Sequence, residues 1–205
     1  DAVRMAISTI QKHNGVIISD VVGLGKSIIG SATANNLNLR TIIIAPPHLV
    51  PQWEDYSEEF RFTSRVFSRG VIAKALQHYR AKSKSNEQWL IVIDEAQFIG
   101  DSHRGISVEL LLTYLRASRQ WGIQPQLILL SATIGNLNHF HEWLDLQALV
   151  SDSRPIPLQI GVLDRSGIYE YLSVDGKHLT KQLLPPYMIL QRKNKLKLLS
   201  KARSN

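Results

Sequence analysis

An α/β fold, with a mainly parallel sheet and helices on both faces, is what the pattern of this chain predicts. Two observations predict it. Four apolar runs rich in Ile, Leu and Val, at 16–18, 41–45, 90–93 and 126–130, are nearly continuous rather than alternating. Strands read this way when helices cover both faces of their sheet. Segments of helical pattern lie between the runs, and alternating strand and helix implies crossover connections and a parallel sheet. Three of the runs also lead into chemically pointed residues: Asp20 onward, Asp94-Glu95, and Ser131-Ala132-Thr133. Ligands of such sheets bind at the carboxyl ends of the strands.

Taken in order, a helix is expected over 2–13, then the strand at 16–18 and a helix over 26–35. The strand at 41–45 follows, and then a helix over 51–60. On that helix Trp53, Tyr56 and Phe60 fall at helical spacing, so they read as a core-facing stripe rather than a base-stacking platform. A helix over 72–82, the strand at 90–93, a helix over 106–117 and the strand at 126–130 complete the pattern. Residues 1–145 thus read as one α/β domain. After Asp145 the pattern changes to short strand-like pieces, 157–163 and 169–174, around Asp175-Gly176, a hairpin turn signal. Residues 146–190 read as a small β-rich extension of the same domain. Pro185-Pro186 then breaks the chain before a basic tail at 191–205.

Composition narrows the class. The chain has 205 residues and a formal net charge of +7, but its last fifteen residues carry six Lys/Arg and no acid. Without them, 18 basic residues face 17 acidic ones. The charge therefore reports the tail, and any phosphate-binding surface on the body is local. Hydrophobic content of 44% argues against disorder. The chain contains no cysteine, which excludes disulfides and thiolate metal sites. No apolar run approaches the length of a membrane span, and no secretion signal opens the chain. The expected location is cytoplasmic, or with the nucleoid or nucleus.

Residues 20–27, Asp-Val-Val-Gly-Leu-Gly-Lys-Ser, sit between the first apolar run and a helix. Strand, glycine-rich turn and helix opening with Lys-Ser make a phosphate-binding loop. Gly23 and Gly25 let the backbone curl so that successive N–H groups face one anion, and Leu24 lies between them in the cradle. Lys26 would reach the β- and γ-phosphates of a nucleotide, and the Ser27 hydroxyl would hold Mg²⁺.

The second motif, Asp94-Glu95-Ala96-Gln97, follows a buried strand. Paired carboxylates beside a phosphate loop suit metal-assisted phosphoryl transfer. Asp94 would hold Mg²⁺, and Glu95 would orient and deprotonate the attacking water. The bland alternative is an acidic loop start. The third motif is Ser131-Ala132-Thr133, where small hydroxyl residues can hydrogen-bond the carboxylate loop. Alone it is an ordinary turn. Gln97, Ser131 and Thr133 are the candidates for coupling nucleotide state to shape. His139 and His141 flank Phe140 without a matching carboxylate cluster, so no metal site is expected there.

In that order the three motifs resemble the superfamily-2 helicases and translocases over roughly residues 1–165. That family's first motif tolerates a non-glycine at the position of Asp20, its second reads Asp-Glu-x-x, and its third is Ser-Ala-Thr. More narrowly, Asp20-x-x-Gly-Leu-Gly-Lys-Ser and Ala45-Pro46-Pro47-His48-Leu49-Val50-Pro51-Gln52-Trp53 resemble Swi/Snf-type translocases. The stretches Ile99-Gly100-Asp101-x-x-Arg104-Gly105, Ser131-Ala132-Thr133-Ile134-Gly135-Asn136, Glu142-Trp143-Leu144 and Arg154-Pro155-x-Pro157-Leu158 resemble Ski-like helicases. The resemblance implies a first RecA-like motor domain that binds ATP and Mg²⁺ and moves on DNA or RNA. It also implies a second RecA-like domain in the same parent chain, of which 191–205 would be the linker or the start. Hydrolysis by one such domain alone would be weak. Pro46 and His48 follow a strand end where these families grip the phosphate backbone, and Arg69 and Arg104 are further candidates for that contact. The alternative function is a nucleotide-dependent binding module without productive catalysis.

Overall fold

A computed structural model describes residues 1–20, 25–82, 87–101, 105–122, 124–132, 140–151, 161–172 and 176–184. They fall into two units, divided between Ser153 and Arg154. The first unit runs α1 (Ala2–His13), β1 (Gly15–Asp20), α2 (Lys26–Leu37), β2 (Arg40–Ala45), α3 (Val50–Glu59) and β3 (Ser64–Ser68). It continues α4 (Ile72–Lys82), β4 (Trp89–Ile93), α5 (Ile106–Ser118), β5 (Gln126–Ser131), α6 (Phe140–Leu144) and β6 (Gln147–Ser151).

Six strands make one sheet in the order β3-β2-β4-β5-β1-β6, and every neighbouring pair is parallel. The four central strands are the four apolar runs. Alternate residues on them feed two separate cores. Ile17, Ile42, Ile44, Ile91, Ile93, Leu127 and Leu129 pack with residues of α4 and α5, among them Ile72, Tyr79, Leu112 and Leu115. Val16, Ile18, Ile43, Leu90, Val92, Ile128 and Leu130 pack with residues of α1, α2 and α3, namely Ala6, Ile10, Ala34 and Trp53. Both faces are covered, which is why these strands show no polar alternation. Asn14 and Asn38 close α1 and α2 in the left-handed conformation, at φ 61° and 51°, a conformation asparagine tolerates better than most residues.

The outermost strands, β3 and β6, were not foreseen. Every residue of β3 is exposed or half-buried, so it lacks the continuous apolar run on which the prediction rested. β6 falls inside 146–190, the stretch expected to be a β-rich extension of the same domain. It pairs with β1, from Val16 beside Gln147 to Asp20 beside Ser151. The first unit thus includes β6.

The second unit holds a small antiparallel sheet of β7 (Gly161–Leu163), β8 (Ile168–Leu172) and β9 (His178–Gln182). The turn entering β8 is organised by Asp164, whose Oδ1 accepts from the backbone N–H groups of Ser166 and Ile168, both at 2.8 Å. Gly176, in the expected hairpin turn, has φ 74°. The tail at 191–205 lies outside the described residues. Among those described, no helix is long and apolar enough to cross a membrane.

Candidate nucleotide site

Strands β4, β5 and β1 are consecutive neighbours in the sheet. Because they run parallel, their carboxyl ends and the motifs that follow them share one edge, where open α/β sheets hold their ligands. Gly25 precedes α2 at φ 75°, ψ 32°, a left-handed conformation open to glycine without steric cost. Its carbonyl accepts the first helical bond, from Ile29 N–H at 2.9 Å. Lys26 and Ser27 occupy the first turn of α2, both half-buried. Gly23 and Leu24 lie outside the described residues.

Asp94 leaves the end of β4 with its backbone N–H donating to the Ile44 carbonyl at 2.8 Å. It is buried, at 4% exposure. Its Oδ2 accepts from the Trp53 indole N–H at 2.8 Å and its Oδ1 from the backbone N–H of Glu95 at 2.9 Å. Burial pushes the Asp94 carboxyl above its ordinary value, and the neighbouring Glu95 charge acts in the same direction. The two hydrogen bonds and the positive charge of Lys26 oppose that rise. Lys26 and Asp94, sixty-eight residues apart in sequence, thus share one electrostatic environment.

Glu95 sits at φ 55°, ψ 46°. A left-handed non-glycine residue at the end of a buried strand is uncommon. Here it turns the chain into the 3₁₀ segment Ala96–Gly100. The consequence lies two residues on. Gln97 Nε2 donates to Glu95 Oε2, while Gln97 Oε1 accepts from the Ser131 hydroxyl at 3.2 Å and from Ala132 N–H at 3.1 Å. One amide side chain therefore ties the second motif to the third, and the Ser131 hydroxyl reaches the carboxylate loop through Gln97. Thr133 lies outside the described residues.

Over most of its length the chain is similar to proteins of known activity. It is 30% identical to the ATP-dependent DNA helicase Hel308 of Thermoplasma acidophilum, an alignment covering 86% of this chain and 29% of that protein. It is 28% identical to the Hel308 of Thermoplasma volcanium, over 82% of this chain and 28% of that one. A shorter stretch, 40% of the chain, is 36% identical to DNA polymerase theta of Drosophila melanogaster, of which it covers 4%. No protein-family model matches. The similarity supports a superfamily-2 helicase motor domain. It spans less than a third of the length of the two Hel308 relatives, and its layered parallel sheet is the RecA-like arrangement.

In this motor domain the residues expected to touch nucleic acid separate into different environments. Pro46 is buried, and its carbonyl accepts from Leu49 N–H at 2.9 Å. Proline has no N–H to offer a phosphate. His48 is exposed on the adjacent 3₁₀ turn Pro47–Leu49. The Arg69 guanidinium lies 4.8 Å from the ring centroid of Phe98, a cation–π contact that joins the end of β3 to the segment following Glu95. Arg104 lies outside the described residues.

Trp53 is the site residue that sequence reasoning missed. Its expected place in the core holds, at 1% exposure, and Tyr56 meets it edge-on with ring centroids 6.2 Å apart. Nothing in helical spacing distinguishes a tryptophan that merely packs from one whose N–H meets a carboxylate forty-one residues away. A buried indole N–H does need an acceptor, and that requirement was the available signal.

Proposed function

We propose that this motor domain is the ATP-binding half of an ATP-dependent DNA helicase or translocase. The observation that carries the reading is the single network from Glu95 through Gln97 to Ser131 and Ala132, beside Asp94 and within the field of Lys26. A hydrolytic centre and a lever are built from the same side chains. DNA is favoured as the track because the Hel308 relatives are named DNA helicases.

In this reading the loop ending at Gly25-Lys26-Ser27, with Gly23 and Leu24, cradles the phosphates, and Lys26 offsets their charge. The donor set suits Mg²⁺: a carboxylate and a hydroxyl are hard oxygen ligands. Asp94 and Ser27 would hold the ion, and its chemistry when bound is to neutralise charge on the phosphates. Each Asp94 oxygen accepts one hydrogen bond, and a carboxylate oxygen has a second lone-pair site free for a ligand. Glu95 takes the proton of the attacking water, with Gln97 holding its carboxylate. As phosphate leaves, the hydrogen bonds of Gln97 carry the change to the end of β5. A second RecA-like domain in the parent chain completes the site with an arginine, so this half alone is slow; such an arginine is worth about 10³–10⁵ in rate. His48 contacts the DNA backbone, with Arg69 and Arg104 as further candidates.

The test is Glu95→Gln in the parent protein. Binding of Mg²⁺-ATP is expected to persist while hydrolysis falls about 100-fold or more, within the usual worth of a general base. Unchanged hydrolysis would refute the assignment. Tight ATP binding with no hydrolysis in the unmodified protein would instead identify a nucleotide-dependent binding module.

A further inference from the structure

We propose that Trp53 is a positioning residue for the Mg²⁺-holding carboxylate, acting through its indole N–H rather than through packing alone. The inference deepens the function proposed above and rests on it. Three observations carry it.

The first is the choice of acceptor. Among the described residues Trp53 is one of the largest fully buried side chains, and a buried indole N–H must find a partner. It finds the Oδ2 of Asp94 at 2.8 Å. A bond to an ionised acceptor is about twice as strong as a neutral one, and it is directional. Core packing alone would be served by a phenylalanine.

The second is that both oxygens of Asp94 are engaged. With Trp53 on Oδ2 and the Glu95 N–H on Oδ1, the carboxylate can neither rotate about χ2 nor tilt without breaking a bond. What remains available are the second lone-pair sites, already oriented. In metal centres such outer partners set the direction of the ligand and its affinity.

The third is that the indole is itself held. A Cβ built at Gly30 in α2 would stand 3.3 Å from Trp53 Cη2 and 3.3 Å from Leu130 Cδ1. The missing side chain at Gly30 is thus the space the indole occupies. The ring touches the helix that begins with Lys26-Ser27 and shares its core with Leu130, the residue before Ser131. Trp53 therefore registers the metal carboxylate against the other two motif-bearing elements.

The experiment replaces the N–H while keeping the ring. Trp53→Phe is one variant. Site-specific replacement of Trp53 by benzothienylalanine, which has tryptophan's shape with sulfur in place of N–H, is the second, and it keeps the core filled if the first unfolds. Binding of a fluorescent ADP is titrated with Mg²⁺ and, separately, in EDTA. The indole ¹H–¹⁵N resonance of Trp53 is followed in the unmodified chain. The Mg²⁺ concentration for half-maximal effect should rise about 10- to 100-fold, the usual worth of an outer-shell partner. The affinity in EDTA and the circular dichroism spectrum should not change. The indole resonance should shift when Mg²⁺ is added with ADP. Unaltered Mg²⁺ dependence in the benzothienylalanine protein overturns this proposal alone. Failure of the unmodified chain to bind ADP overturns the nucleotide reading and this proposal together.

Discussion

The Ser131 hydroxyl donates to the side-chain carbonyl of Gln97 across 3.2 Å, joining the end of β5 to the segment that follows β4. The other end of the same amide holds Glu95, so the network is sensitive to which atom stands at each position. Gln97→Ala should leave ATP affinity within about twofold and lower DNA-stimulated turnover about tenfold or more, since a hydrogen bond to a charged group is worth about 1.5–3 kcal/mol. Gln97→Glu should be at least as harmful, because it sets a second carboxylate against Glu95 and removes the donor. Steady-state kcat and KM for the parent protein separate these effects from lost binding.

In the proposed site Lys26 would contribute charge rather than packing. Lys26→Ala should weaken Mg²⁺-ATP binding about 10- to 100-fold, the equivalent of one bond to a charged group. The thermal midpoint without nucleotide should move little, because Lys26 is only half-buried. Fluorescence titration and differential scanning calorimetry on the same sample give both numbers.

Gly30 is where α2 comes closest to Trp53 and Leu130. Alanine there sets a gain in helix propensity of about 1 kcal/mol against two contacts at 3.3 Å. Valine adds bulk with no such gain, so Gly30→Val should cost about 1–3 kcal/mol from overpacking. A lower urea midpoint with an unchanged m-value would identify the loss as native-state crowding.

His78 contributes a pH dependence. Its ring lies between Phe67, at 5.8 Å, and Trp89, at 6.1 Å. Burial, then the charges of Arg65 and Lys82, hold it below its ordinary value of 6.5. As pH falls, the unfolded chain takes up this proton before the folded one does, so the unfolded state gains. The stability is fully present above pH 6.5 and declines as pH drops through that value toward the folded pKa. Urea midpoints should fall between pH 7 and pH 5, and His78→Phe should flatten part of that slope.

The central strands, both helical layers and the order of the three motifs were legible in the sequence. Burial on both faces writes a continuous apolar run, and phosphate or metal chemistry demands particular residues after it. The strands β3 and β6 were not legible. Each has one neighbour in the sheet and is less than fully buried, so its residues need not form a continuous apolar run. β6 is held by register with β1 and not by composition. Among the candidate site residues, Lys26, Asp94, Glu95 and Gln97 stood out by their chemistry, and what the sequence did not show was that Pro46 is buried.

By itself, then, the sequence determined the layered α/β class, the order of the three motifs and the likeness to superfamily-2 motors, because each is encoded by neighbours along the chain. Only the tertiary structure decided that Gln97 bridges Glu95 to Ser131 and that Trp53 holds Asp94. Those contacts join residues from 2 to 41 positions apart. Their geometry is set by sheet order and helix packing, which no local pattern records.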